Sequence, residues 1–157
     1  MKLVLASKNQ KKLLEMNDIL SHLGVEVCSE AEVGVDLEVE ETGTTFEENS
    51  LLKAKAVMEA SGLPAIADDS GLCVDCLNGA PGVYSARYGG EGLDDAARYR
   101  LLLDNMRGQM TRTAKFVSVI TCCFPNGDVL SARGECPGTV AYAPMGEGGF
   151  GYDPVFF

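Results

Sequence analysis

The sequence lacks any apolar run approaching the ~20 residues that a membrane-spanning helix needs. Its opening Met1-Lys2-Leu3-Val4-Leu5-Ala6 turns polar too soon for a signal peptide, so a cytoplasmic protein with reduced thiols and no membrane partner is expected. Positive charge is scarce. Thirteen lysines and arginines face 23 acidic residues, for a formal net charge of −10. Such a surface repels a nucleic-acid polymer, whereas a small polyphosphate can still be received where local cations and a metal ion gather. Histidine is limited to His22, far upstream of Cys73-x-x-Cys76 and of the adjacent Cys122-Cys123. Zinc would want two more thiols or imidazoles, and a redox pair usually opens a helix, whereas Leu72-Cys73-Val74 reads as strand. The cysteines are therefore read as small apolar fillers. Internal repeats, low-complexity tracts and linkers are also missing, so 157 residues predict one mixed α/β domain.

Lys2 to Ala6 reads as a strand, followed by the polar turn Ser7-Lys8-Asn9. Leu13, Met16, Ile19, Leu20 and Leu23 recur at helical spacing, and Gly24 closes that segment. Val25 to Val27 suggests a second strand. Thr44 and Thr45 before Glu47 and Glu48 give two overlapping capping-box registers for a helix running to about Ser61, ended by Gly62 and Pro64. Pro64 to Ala67 predicts a short buried strand with Asp68-Asp69-Ser70-Gly71 at its C-terminal end. A helix over roughly Leu93 to Met106 follows, then a strand over Ala114 to Phe124. Asn126-Gly127 signals a hairpin into a partner strand from Asp128 to Cys136, and Thr139 to Ala143 suggests one more.

Four segments carry chemistry. In Ser7-Lys8-Asn9-Gln10-Lys11-Lys12, backbone N–H groups at a helix start and three lysines suit phosphate, although a solvated, capped first turn looks the same. On the next helix Asn49 and Lys53 share a face with Phe46, Ala56, Val57 and Ala60. An inward Lys53 would partner a phosphate or carboxylate; a snorkelling one would reach solvent. The pair Asp68-Asp69 reads either as a magnesium site, with Glu40 and Glu41 as further oxygen ligands, or as a turn. In Gly148-Gly149-Phe150-Gly151-Tyr152-Asp153-Pro154 the glycines allow close backbone approach, and Phe150 and Tyr152 offer faces for stacking a base; a surface loop is the competing view.

Taken in order, these segments resemble the inosine triphosphate pyrophosphatase family. The stretches that carry the resemblance are Val4 to Lys12, Glu40 to Asn49, Leu52-Lys53-Ala54, Ala67-Asp68-Asp69-Ser70-Gly71-Leu72, Gly79 to Tyr88, and Gly148 to Pro154. They span nearly the whole chain. The resemblance implies an elongated mixed β-sheet flanked by helices, a homodimer, and Mg2+-dependent hydrolysis of non-canonical purine nucleoside triphosphates to the monophosphate and pyrophosphate. It implies that Ser7, Lys8, Asn9, Gln10, Lys11 and Lys12 bind the triphosphate, with Asn9 and Lys12 foremost, and that Lys53 contacts phosphate. Asp69 would be general base and magnesium ligand, with Asp68 beside it and Ser70 touching substrate. Glu40 would be the second metal carboxylate, with Glu41 the alternative register. Phe150, Gly151, Tyr152 and Asp153 would hold the nucleoside.

The family pattern continues past Gly-Tyr-Asp-Pro to a lysine and a Ser-His-Arg element that grips the base. This sequence stops at Phe157, and nothing in it supplies that element. A missing C-terminal segment is therefore expected, and a nucleotide-binding protein without turnover stands as the alternative function.

Overall fold

The computed structural model describes residues 1–146 and 151–157. Its strands and helices are β1 (Lys2–Leu5), α1 (Gln10–Leu20), β2 (Glu26–Cys28), α2 (Phe46–Ser61), β3 (Ala65–Val74), α3 (Asp95–Asn105), β4 (Thr113–Cys123) and β5 (Val129–Thr139). One mixed sheet has the strand order β2-β1-β3-β4-β5. β1 pairs in parallel with β2 (Val4 opposite Cys28) and with β3 (Val4 opposite Ala65). The chain divides into two compact units: Met1–Asp69 with Val119–Arg133, and Ser70–Ser118 with Gly134–Phe157.

In the first unit, period-two alternation sorts the strand residues onto two faces. Val4 and Ala6 of the β1 segment, with Ala65 and Ala67 of β3, pack on Ala54 and Val57 of α2. Leu3, Leu5 and Ile66 point the other way and pack with Leu13 of α1 and Val27 of β2. α1 and α2 therefore cover opposite faces of β1 and β3. Their ends follow local rules. Asn9 caps α1, its Oδ1 accepting from the N–H groups of Lys11 and Lys12 at 3.0 and 3.3 Å. Thr45 caps α2 by accepting from Glu48 N–H at 3.1 Å, and Glu48 Oε2 accepts from Thr44 N–H at 3.0 Å. Gly62 ends α2 in the left-handed region at φ 71°.

The second unit is built around Leu72, Val74, Leu102, Met106, Ala114, Val140, Tyr152 and Val155. Two buried arginines hold its backbone. Arg98 donates to the carbonyls of Tyr88, Gly90 and Leu93, and Arg112 donates to those of Met106, Val140 and Ala141. Ser85 ties three segments together. Its Oγ accepts from Leu72 N–H at 2.9 Å and donates to the Gly82 carbonyl at 2.7 Å, while its carbonyl accepts from the Tyr152 hydroxyl at 2.7 Å.

Two sequence expectations change. β3 does not end at Ala67 but runs ten residues to Val74, so Asp68 and Asp69 sit inside an extended strand rather than in a turn. β1 pairs with β3 at Ala65 and Ile66, and β4 is its neighbour on the other side of the sheet. The hairpin at Asn126-Gly127 forms, but its return strand reaches Thr139, and the separate strand expected over Thr139 to Ala143 reduces to the bridge between Val140 and Phe156.

Leu102 is fully buried and Leu14 is 67% exposed. Leu102→Ala is expected to cost about 2–5 kcal/mol of unfolding free energy, whereas Leu14→Ala stays within about 0.5 kcal/mol. Urea titrations of the two variants check this.

Candidate active site

The alternation that sorts the apolar residues of β3 also sorts its acids. Asp68 follows the face of Ile66 and meets α1, where Lys12 Nζ donates to both carboxylate oxygens at 3.0 and 2.9 Å. Asp69 follows the face of Ala65 and Ala67 toward α2, the helix that carries Asn49 and Lys53. Adjacent carboxylates thus point to opposite sides of one strand, each near its own lysine, which lowers the repulsion the two would suffer side by side.

Lys53 does not snorkel. Its ammonium donates to the Asp68 carbonyl at 2.6 Å and pairs with Glu41 Oε1 at 3.0 Å, with side chains 19% and 25% exposed. Asp69 is 7% exposed, and its Oδ2 is buried without a hydrogen-bond partner. Burial first, and the Glu41 carboxylate second, push its pKa up from 3.8 to about 6, against the opposing pull of Lys53 and of the Asn49 amide. Asn49 is fully buried on α2 and accepts from Gly43 N–H at 2.8 Å. It has no accessible surface.

The carboxylate that reaches this cluster from the loop is Glu41. Glu40 is exposed, and Glu41 is the residue whose charge acts on Asp69 and meets Lys53. Of the two registers weighed in the sequence, it is Glu41 that stands beside Lys53 and Asp69. Glu41 sits at the centre of a tight turn in which Thr42 N–H donates to the Glu40 carbonyl at 3.1 Å. Among the described residues no three acidic, thiol or imidazole groups converge as a ready-made metal cage.

Ser7 and Lys8, together with Ala6, Glu30, Leu37, Val39, Lys53 and Val57, line a cavity of about 100 Å³. The first-helix turn and Lys53 thus share one recess. Burial pushes the Glu30 carboxyl there above its usual value. Lys8 pairs with Glu38 at 2.8 Å, and Ser7 Oγ accepts from Asn9 N–H at 3.2 Å. Gln10 and Lys11 are exposed on the first turn of α1. Asn9 caps its own helix, so the N–H groups of Lys11 and Lys12 are already satisfied. The phosphate-binding capacity of this turn lies in its side chains more than in open backbone donors.

The expected nucleoside residues belong to the second unit, as does Ser70, which is half-buried. Phe150 lies outside the described residues. Gly151 donates its N–H to Asp95 Oδ2 at 3.3 Å, and Asp153 is exposed at the start of a short 3-10 turn. Tyr152 departs from expectation: its ring is 8% exposed within the core and its hydroxyl is bonded to Ser85, so it packs rather than offering a face for stacking. Burial raises its phenol pKa well above the usual range.

A family model described as the Ham1 family matches residues 3–157. A dITP/XTP pyrophosphatase of Exiguobacterium sp. is 48% identical over 156 residues, covering 99% of this chain and 80% of that protein. A dITP/XTP pyrophosphatase of Haemophilus influenzae is 51% identical over 160 residues, covering 99% and 82%. The structure of the Staphylococcus aureus Ham1 protein matches with a TM-score of 0.93 at 43% identity, covering 100% of this chain and 81% of that one. A HAM1 protein from Coxiella burnetii matches with a TM-score of 0.94 at 41% identity, covering 99% and 81%.

The raised pKa of Asp69 sets a pH dependence in the metal-free protein. Because the folded-state value of about 6 lies above 3.8, the folded state holds the extra proton, and stability falls as pH rises through that window. Asp69→Asn should therefore be more stable than the parent at pH 8 in EDTA, by on the order of 2 kcal/mol, and equal to it near pH 4. Thermal denaturation of both proteins across that pH range measures the difference.

Proposed function

This chain belongs to the Ham1 family, and on that premise we propose that it hydrolyses non-canonical purine nucleoside triphosphates such as dITP and XTP to the monophosphate and pyrophosphate. The family model runs through both compact units, which supports reading residues 1–157 as one catalytic domain. The observation that carries the reaction is the buried, unpartnered carboxylate oxygen of Asp69, beside Glu41 and Lys53. An anion confined in that way calls for a cation, and an oxygen-only donor set of one or two carboxylates suits magnesium. Asp69 and Glu41 would hold the ion, and the bound ion would neutralise charge on the phosphates and polarise the bond under attack.

The chain's own groups supply the rest. Lys12 and Lys53 are held rigidly by Asp68 and Glu41, and as the triphosphate arrives they offer fixed positive charge to its oxygens and to the departing pyrophosphate. Asp69, mostly ionised at neutral pH, orients the attacking water and accepts its proton. Attack at the α-phosphorus breaks the bond between the α- and β-phosphates. The oxygen from water leaves on the monophosphate, and the electron pair of the broken bond leaves on pyrophosphate. Discarding deaminated purine nucleotides before a polymerase uses them is the physiological role this chemistry serves. A cytoplasmic homodimer belongs to the same proposal. Among the described residues no helix is long and apolar enough to cross a membrane.

Pyrophosphate release from dITP and XTP with Mg2+, compared with dATP, tests the reading. Release from the first two with EDTA-sensitive rates is expected, and Asp69→Asn should lower kcat by about 10²–10⁴-fold while leaving nucleotide affinity within a few-fold. Binding without release by the parent protein would overturn the assignment as an enzyme. Lys53→Ala is expected to raise KM by about tenfold with little loss of fold stability, and an unchanged KM would remove Lys53 from phosphate binding.

A further inference from the structure

Asn49 is fully buried, yet half of its amide has no partner. It is 0% exposed; its Oδ1 accepts from Gly43 N–H at 2.8 Å, and its Nδ2 makes no hydrogen bond. Asp69 Oδ2 is the other buried side-chain atom without a partner among the described residues. The two groups are close enough for the amide to favour the Asp69 anion, although they stand outside direct hydrogen-bond geometry. The amide cannot be turned around. Gly43 N–H demands an acceptor, so the oxygen must face Gly43 and the NH2 must face Asp69.

The loop end of this link is equally constrained. A Cβ on Gly43 would come 2.6 Å from Glu48 Cβ and 2.7 Å from Asn49 Oδ1, so the backbone lies directly against the start of α2. Two residues upstream, Glu41 reaches Lys53 at 3.0 Å. A single side chain on α2 therefore touches the segment that carries Glu41 and faces the strand residue that the mechanism requires.

We propose that Asn49 is a positioning residue: its carbonyl oxygen pins the acidic loop through Gly43, its NH2 orients the carboxylate of Asp69, and together they fix the spacing of the Glu41 and Asp69 carboxylates that receive a divalent cation. This deepens the reading of the site as a metal-dependent pyrophosphatase and rests on it. The substrate never touches Asn49.

Two variants separate the halves of the amide. Asn49→Ala removes both contacts without adding charge. Asn49→Asp keeps an acceptor for Gly43 but replaces the donor facing Asp69 with an oxygen. Mg2+ binding to the whole chain without nucleotide is measured by calorimetry, and kcat and KM for dITP are measured in parallel. In Asn49→Ala, Mg2+ affinity is expected to fall about 10–100-fold, the usual loss when a group that orients a metal ligand is removed. In Asn49→Asp, kcat is expected to fall at least tenfold with KM within about threefold, because the lysines that meet the nucleotide are untouched. A role limited to holding Gly43 would leave the kcat of Asn49→Asp at the parent value, and that result overturns the proposal. Mg2+ affinity in Asn49→Ala within twofold of the parent also overturns it, and this arm decides alone if Asn49→Asp fails to fold. A parent protein that binds Mg2+ but does not turn over dITP or XTP would defeat the functional reading, while the Asn49→Ala affinity would still judge Asn49.

Discussion

The site depends on keeping a carboxylate ionised where burial disfavours the charge. Asp69 lies in the middle of a sheet strand and is 7% exposed. Its backbone cannot swing it outward without breaking the extended conformation of β3. The groups around it pull in both directions. Lys53 stands beside it, the Asn49 amide faces it, and a neighbouring glutamate adds negative charge that one lysine does not fully offset. The excess of negative charge in so small a volume is the feature on which the proposed cation site rests.

β3 performs the sorting that makes this arrangement feasible. A strand has two faces, and each of its faces is covered by one helix, so consecutive residues are delivered to different helices. Asp68 is neutralised by α1 through Lys12, and Asp69 is addressed by α2. Had the same two residues sat in a turn, both carboxylates would have shared one volume and one set of cations. The helix caps extend this order outward. The capping contacts of Thr45 and Glu48, with the Gly43 contact to Asn49, hold the loop before α2 against the helix. Glu41 therefore belongs to a segment anchored at its C-terminal side.

Much of this was legible in the residues. The capping box before α2, Gly62 after it, the Asn126-Gly127 hairpin and the helical spacing of α1 each predict an element that the structure contains, because each rests on local stereochemistry. The odd position of Lys53 on an apolar face was also visible, and the structure gives it carboxylate and carbonyl partners. What the residues did not reveal depends on contacts distant in sequence. The length of β3 is set by its neighbours in the sheet, not by its own composition. The choice of Glu41 over Glu40 depends on a one-residue phase in a loop without periodicity. Tyr152 carries the same side chain whether it stacks on a ligand or packs in a core, and only the surrounding Leu72, Val74, Leu102 and Ser85 decide which. The buried Arg98 and Arg112, which look like surface charges in the sequence, act as hydrogen-bond hubs for carbonyls brought together by the fold.

Lys8 and Lys53 of the recess, and Lys12 nearby in the same unit, all sit in ion pairs with acids of that unit: Glu38, Glu41 and Asp68 respectively. An incoming anion gains little from any single one of them, because it must displace a carboxylate that is already well placed. A small anion that meets only one of these lysines must compete with a carboxylate for it. A multivalent anion that reaches several of these cations at once has more to gain from displacing their partners. Internal pairing of this kind works as a threshold that favours multivalent anions over monovalent ones.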